Sequence, residues 1–498
     1  MKHILVFGAG KSATVLIDYL KELITENVWK LTVADSNIKL AKQKVANHPL
    51  AKSIELEIEN TIVREALIKE ADLVISMLPP DLHYLVALDC IQFKKHLLTA
   101  SYVDEKLKAL ETQIKSAGIL FLCEMGLDPG IDHMSAMQLI NSIKNKGGKI
   151  TSFKSHCGGL VAPESDDNLW HYKISWNPKS VVLAGKAGAV YKENDNVVHV
   201  EYENLFNANN IVEIDNNETY CYYANRDSLK YLSLYKLEDI KTFIRTTLRH
   251  PEFCFGWKNL IDLKLTDEEK VYETDKLTVA EFFKIHFQKH GFGEWLNQML
   301  TSRLSQAKNM LEKLMQLIEA ENEEGETDEE VMIINEKGEL DAINVDDIKD
   351  KAAETASLKM HEANLSMKQL FYLGLKDETV INKGLCSAAD ILQFIIEKKW
   401  ELLANDKDMI IMLHEIEYIL QNKFYKTTSL LKVIGNDPLY TAMAKTVGMP
   451  LGIAAKLILE EKITETGLQI PIAESIYQPV LNELRKHEIK FEEKIYEI

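Results

Sequence analysis

The sequence predicts an α/β protein built on a parallel, doubly wound sheet, followed by a mixed-sheet α+β region and a helical region. Three observations carry this. Residues 4–123 alternate short apolar strands with helical segments in strict succession, the pattern of a parallel sheet covered on both faces. The first strand, Ile4 to Phe7, runs into Gly8-Ala9-Gly10-Lys11-Ser12-Ala13 and a helix with Ala13, Leu16, Leu20 and Leu23 on one face. After Gly130 the alternation stops, and short strands and loops continue to about Tyr235.

Each element has its own signal. Gly8 permits a tight turn, Gly10 lets the backbone approach a pyrophosphate, and the helix N-terminal amides can hold it. Ala13 stands at the third glycine position of the motif, and Lys11 and Ser12 complete the turn. The next strand, Leu31 to Ala34, ends in Asp35-Ser36, where a carboxylate can bind the ribose hydroxyls of the adenosine. These residues together predict a Rossmann dinucleotide-binding domain. The buried strand Ala71 to Leu78 is stopped by Pro79-Pro80, and strands at His96–Ala100 and Ile119–Cys123 complete the alternation. Ligands of such sheets lie beyond the strand carboxyl ends. The strand ends of interest are therefore Gly8–Ala13, Asp35, Ser76–Pro80 with Leu78, Ser101–Tyr102, and Glu124–Gly130 with Leu127, Asp128 and Pro129.

The second region is expected to hold strands at Ile150–Cys157, Val181–Leu183, Val197–Tyr202 and Thr219–Tyr223, with Met409–Ile419 returning as a long strand. From about Leu237 to Ala404 the pattern reads as helical, and Tyr440–Lys456 as a helix broken near Gly448-Met449-Pro450. Glu319 to Glu330 holds eight acidic residues and no basic one, the composition of a solvated loop.

The totals exclude several classes. A chain of 498 residues is too long for one core. A net charge of −18, from 58 basic and 76 acidic side chains, argues against a nucleic-acid partner. No apolar run is expected to cross a bilayer, and the N-terminus enters a strand at once. The six cysteines are scattered with no C-x-x-C, which speaks against a metal site and for a reducing, cytoplasmic setting.

Asp128, in Gly126-Leu127-Asp128-Pro129-Gly130-Ile131-Asp132-His133, leaves a sheet strand near where a nicotinamide would stand; Asp132 and His133 are read as helix caps. Tyr102 ends the neighbouring strand, and Cys157 precedes Gly158-Gly159. Three of the six arginines, Arg226, Arg245 and Arg249, fall within 24 residues. Their planar forks suit carboxylate recognition.

These segments resemble the saccharopine dehydrogenase family of the L-glutamate-forming type. The resemblance is carried by Gly8–Ala13, Ala100-Ser101-Tyr102-Val103, Gly126–His133, Cys157-Gly158-Gly159-Leu160-Val161-Ala162-Pro163-Glu164-Ser165, Lys173-Ile174-Ser175-Trp176, Asn225-Arg226-Asp227-Ser228, Thr247-Leu248-Arg249 and Tyr440–Gly448. It implies oxidation of saccharopine, with water, to L-glutamate and 2-aminoadipate semialdehyde, or the reverse. It implies Tyr102, Asp128 and Cys157 as proton-relaying or orienting groups, and Ser101, Tyr102, Asp128, Arg226, Thr247, Leu248 and Arg249 as substrate contacts. Ser175 joins the cofactor contacts by the same match, whereas Arg245 lies outside the strongest match. Three domains are implied: residues 1–128 plus about 438–498, about 129–236 plus about 405–437, and about 237–404 with an acidic insert near 319–350. A homodimer through the second sheet is implied as well. Members that use NADP place an arginine just after the second strand. Asp35-Ser36 stands there in this chain, so NAD is the expected cofactor, with NADP the alternative and no metal. Residues Leu317–Met360 do not match the family pattern.

Two rival readings differ in chemistry. A dehydrogenase of another secondary amine, such as a carboxylated polyamine, calls for a more acidic pocket than Arg226 and Arg249 suggest. A dinucleotide sensor without turnover would not need those arginines.

Overall fold

The computed structural model describes residues 1–214, 218–299, 301, 302, 305, 308, 309, 330–334, 340–344, 357 and 361–498. The chain forms two compact units, one of Met1–Cys254 with Trp400–Ile498 and one of Phe255–Lys399.

The first unit begins with β1 (His3–Phe7), α1 (Thr14–Asn27), β2 (Lys30–Asp35), α2 (Ile38–Val45), β3 (Ala51–Glu55), α3 (Thr61–Glu70), β4 (Leu73–Ser76), α4 (His83–Gln92), β5 (His96–Thr99), α5 (Glu105–Lys108), α6 (Glu111–Ser116), β6 (Leu120–Leu122) and α7 (Ile131–Asn145). β1 is buried at all five positions because apolar layers cover both faces of its sheet. Gly8 has φ of +98°, and a Cβ there would lie 2.9 Å from the Met77 carbonyl oxygen, so the turn after β1 requires glycine.

A second sheet follows, with β7 (Lys149–Val161), β8 (Ala189–Glu193), β9 (Asn196–Val200), β10 (Ile211–Glu213), β11 (Thr219–Ala224) and β12 (Thr242–Arg249). The expected strand at Val181–Leu183 is instead the end of a short helix, Pro178–Val182, capped by Asn177. Residues Thr242–Arg249, inside the stretch expected to be helical, form β12. Alternation of Thr242, Ile244, Thr246 and Leu248 with Phe243, Arg245, Thr247 and Arg249 suits a strand with two lined faces.

The second unit carries helices Val279–His290 and Ala388–Lys399, the former opened by a Thr278–Glu281 capping box. Its strand pairs are β13 (Tyr272–Glu273) with β16 (Leu385–Cys386) and β14 (Glu330–Ile334) with β15 (Leu340–Asn344). The acidic run, apart from Glu330, lies outside the described residues, as does most of the unmatched stretch.

The chain then returns to the first unit as β17 (Asp408–Leu420), β18 (Lys423–Ile434), β19 (Gly467–Gln469) and β20 (Glu492–Glu497), with helices Ala442–Leu459 and Glu474–Lys486. The first sheet has the order β19-β6-β5-β4-β1-β2-β3 and is parallel throughout. Its connections reverse between β1 and β4, which opens a crevice at their carboxyl ends. The second sheet runs β10-β11-β12-β7-β17-β18-β20, with β8 joined to β12 and β9 to β8, and among the described residues its one parallel pair is β12 with β7.

Helix Ala442–Leu459 has the length and apolar composition of a membrane span, contrary to expectation, yet 83% of that stretch is buried inside the protein. It is a core helix. Gly448 brings it against α1, since a Cβ there would lie 2.8 Å from Leu16 N. Asp408 accepts from Ala442 N at 2.6 Å and Met443 N at 2.9 Å, fixing the helix start to β17.

Candidate active site

The loops after β5 and β6 are stitched together by backbone bonds. Glu124 N donates to Ser101 O at 3.1 Å and Met125 N to Thr99 O at 3.0 Å. Gly126 N donates to Pro129 O at 2.9 Å, closing a turn that presents Asp128. Gly130 makes this turn possible: its φ is +147°, and a Cβ would lie 2.1 Å from Gly126 O.

Asp128 is the hub. Its Oδ1 accepts from Tyr102 OH at 3.0 Å and from Arg245 Nη2 at 2.5 Å. The same Arg245 nitrogen donates to Asp132 Oδ2 at 2.7 Å and to Tyr102 OH at 3.3 Å. Asn225 Nδ2 stands 3.5 Å from Asp128 Oδ2. Along β12, Arg245, Thr247 and Arg249 share one face. Thr247 is registered opposite Cys157 of β7 and Tyr223 of β11.

The arginines divide the work. Arg226 is exposed, with its guanidinium carbon 5.0 Å from the Tyr102 ring centre. Arg249 is buried, 5.1 Å from the Tyr172 ring and 5.3 Å from Phe253. Its Nη1 donates to Leu248 O at 2.7 Å, while its Nε has no hydrogen-bond partner among the described residues. A buried N–H in that condition calls for an acceptor. Arg245, by contrast, is neutralised by two carboxylates of its own chain and orients Asp128.

Burial raises the Asp128 pKa above the usual carboxylate range, with Arg245 opposing. For Asp132 burial acts the same way, but His133, Arg245 and the Gly130 N–H outweigh it and hold the carboxyl below that range. Asp132 is therefore the standing anion beside Arg245, and Asp128 is the carboxyl of the pair that takes up a proton more readily. Burial also raises the Tyr102 hydroxyl and the Cys157 thiol, so both are protonated.

Behind this layer, Glu124 Oε2 contacts His133 Nε2 at 2.8 Å and accepts from Tyr231 OH at 3.0 Å, and His133 Nδ1 lies 2.5 Å from Tyr235 OH. Sequence reasoning placed Glu124 at a strand end of interest without a role, and missed Tyr231, Tyr235 and the bridging role of Arg245. His133, expected as a cap, belongs to this network instead. Asp132 accepts from Gly130 N at 2.6 Å as a cap would, but its other oxygen pairs with Arg245. Buried His and Glu beside a strand end were the available signal.

The Leu248 side chain is fully buried among Leu160, Met409 and Ile411 on the opposite face of β12, which leaves only its main chain toward a ligand beside Arg249. Ser175 is buried, with its hydroxyl directed to Asp408.

The dinucleotide turn lies at the β1–β4 reversal. Asp35 Oδ2 accepts from Ala9 N at 2.6 Å and Oδ1 from Asn37 N at 2.7 Å. Lys11 and Ser36 are exposed, Ser12 and Leu78 half-buried, and Ser76, Leu127 and Pro129 buried. A Cβ on Gly10 would meet nothing within 4 Å. That open side of the turn, beside the first amides of the helix, fits a pyrophosphate.

A family profile for the saccharopine dehydrogenase C-terminal domain matches residues 126–489, and one for the saccharopine dehydrogenase NADP binding domain matches residues 4–122. The chain belongs to the saccharopine dehydrogenase family. Within that family's reach, it is 32% identical to alpha-aminoadipic semialdehyde synthase of Arabidopsis thaliana, over 99% of this chain but only 44% of that longer protein. It is 29% identical to saccharopine dehydrogenase [NADP(+), L-glutamate-forming] of Schizosaccharomyces pombe, over 99% of both chains. Apo saccharopine dehydrogenase (L-Glu forming) from Saccharomyces cerevisiae superposes over the full length of both chains with a TM-score of 0.77 at 26% identity. Homospermidine synthase of Legionella pneumophila, at 10% identity and a TM-score of 0.50, shares the fold alone.

Proposed function

We propose that this chain interconverts saccharopine and water with L-glutamate and 2-aminoadipate semialdehyde. The observation that carries the reading is buried Arg249, with Nε awaiting an acceptor, on the same face of β12 as the Arg245–Asp128–Tyr102 cluster. A substrate with three carboxylates needs such a cation beyond the reacting carbon. Arg226, exposed above Tyr102, suits a second carboxylate.

A nicotinamide dinucleotide, when bound, supplies the hydride acceptor and donor. Gly8, Gly10, Lys11, Ser12 and Ala13 would hold its pyrophosphate. In the oxidative direction the carbon beside the secondary amine loses hydride, water adds to the imine, and the carbinolamine splits into amine and aldehyde. Asp128 accepts and returns the protons of these steps, Tyr102 donates to Asp128 and holds it in place, and the Cys157 thiol lies on the same face as a neutral wall. The retained arginines favour this reading over a polyamine substrate.

Nucleotide choice rests on Asp35, whose carboxylate beside the turn repels a 2′-phosphate and favours NAD, whereas three fungal relatives carry NADP(+) in their names. The deciding experiment follows reduced-nicotinamide absorbance with saccharopine and each nucleotide in turn. Turnover supports the reaction, and the ratio of specificity constants assigns the nucleotide. Binding of the reduced nucleotide without turnover favours the sensor.

We also propose the three-domain division set out above and a homodimer through the second sheet. Ile211 and Tyr496, both substantially exposed, line a cavity of about 590 Å³ on that sheet with Leu413 and Leu430. Light scattering of the purified protein tests the dimer. The six buried, unpaired thiols suit a reducing cytoplasm.

A further inference from the structure

A histidine outside the Asp128 cluster joins the cofactor crevice to the substrate side. His83 opens α4 and is 2% exposed. Its Nδ1 lies 2.8 Å from Ser76 Oγ, at the end of β4. Its Nε2 lies 2.8 Å from Ser101 Oγ and 3.2 Å from Thr99 Oγ1, at the end of β5. Ser76 is registered beside Phe7, the residue before Gly8. Ser101 precedes Tyr102 and is half-buried, while Ser76 and Thr99 are sealed from solvent.

We propose that His83 is a positioning residue that, anchored by Ser76, turns the hydroxyl proton of Ser101 toward the bound substrate. The inference rests on the proposed saccharopine reading for the identity of that substrate. A neutral imidazole offers one donor and one acceptor. If the sealed Ser76 hydroxyl donates to Nδ1, the proton sits on Nε2 and is donated to Ser101 Oγ. The Ser101 O–H is then free to point outward, to a carboxylate or amine of the ligand. In the opposite tautomer Ser101 would spend its proton on Nε2 and offer the ligand only lone pairs. Burial supports the neutral form by pushing the His83 pKa down to about 4, with Asp104 opposing.

The test uses the full chain and the variants His83→Phe, His83→Gln and Ser101→Ala. His83→Phe keeps the ring volume and removes both contacts, and His83→Gln keeps an N–H donor near the Nε2 position. The expected result is a saccharopine KM raised about tenfold in His83→Phe, the size of one lost hydrogen bond, with kcat much less affected. The KM of His83→Gln returns to within about threefold of the parent. In the Ser101→Ala background His83→Phe has no further effect. Unchanged KM in His83→Phe, or an additive loss in the double variant, overturns the proposal.

A second measurement needs neither turnover nor a variant that folds. In protein labelled with ¹⁵N at histidine, the His83 ring should carry its proton on Nε2 throughout the neutral range, with or without bound NADH. An Nδ1-protonated or doubly protonated ring overturns the proposal even where saccharopine is turned over. A parent protein that turns over no saccharopine, yet has the Nε2–H ring, overturns the substrate reading and leaves the Ser101 geometry standing.

Discussion

Asp128 and Arg245 meet through a single guanidinium nitrogen 2.5 Å from Oδ1, although 117 residues separate them in the chain. That contact fixes the turn after β6 to β12. Arg245 is 3% exposed and compensates Asp132 as well, so its loss leaves two buried carboxyls without their cation. Arg245→Met should lose about 3–5 kcal/mol of stability, the cost of breaking a buried pair. Urea denaturation measures it, and adding Asp132→Asn should recover part of the loss. Equal midpoints for Arg245→Met and the parent would contradict the account.

Arg249 makes a different prediction because its partner is expected to be the ligand. Arg249→Lys keeps a charge and loses the fork. The KM for saccharopine should rise by about two orders of magnitude, the scale of a lost charge-assisted bond of about 1.5–3 kcal/mol. The NADH dissociation constant, read from nucleotide fluorescence, should stay within about twofold. A matching loss in nucleotide affinity would place Arg249 on the cofactor side.

Gly8→Ala tests the dinucleotide turn. The new Cβ would meet the Met77 carbonyl at 2.9 Å in a backbone conformation that side-chain-bearing residues rarely adopt. Nucleotide affinity should fall more than about tenfold, measured by the same fluorescence titration. Gly10→Ala meets no protein atom within 4 Å. Any loss of affinity it causes should come from contact with the nucleotide, without a drop in Tm of the nucleotide-free protein.

Acid stability should depend on Glu415, in β17. Burial would raise its pKa, but His156, 3.4 Å away, and Lys426 outweigh burial and hold it at about 2, against an ordinary value of 4.5. A depressed carboxyl contributes stability above its unfolded pKa and loses it as pH falls through the folded value. The stability gap between the parent and Glu415→Gln should be widest above about pH 4.5 and close toward pH 2. Its full size is of the order of 3 kcal/mol. A gap that does not narrow on acidification would assign the loss to packing.

The first sheet was legible at its centre, where β1, β4, β5 and β6 are buried and carry their own apolar runs, and less so at its partly buried edges, β3 and β19. Asp128 was legible for a related reason, since the proline and glycine that follow it announce a strand end, and Asp35 was legible from its place at the end of the strand after the glycine turn. The second sheet was harder. β12 carries two arginines and three threonines among eight residues, a composition that reads as polar surface until the fold buries both faces of the strand. Arg245 could not be assigned from its neighbours in sequence, because its meaning lies in Asp128 and Asp132. Leu248 shows the converse: a local match names three consecutive residues, whereas a strand turns only alternate side chains toward a ligand, leaving Leu248 its main chain. The Glu124–His133–Tyr231 network is assembled from segments about a hundred residues apart, and no local pattern encodes it.

β19 has a consequence for how the protein is made. It is the outer partner of β6 in the first sheet, yet it lies more than three hundred residues downstream. As the ribosome delivers the chain, β6 emerges early and its open edge waits through the synthesis of everything between. An unpaired parallel edge is a template for wrong partners. The sheet that carries the cofactor crevice, though written mostly in the opening residues, is thus completed only by a late return of the chain, and expression of the opening residues alone should yield aggregate where the whole chain yields folded protein.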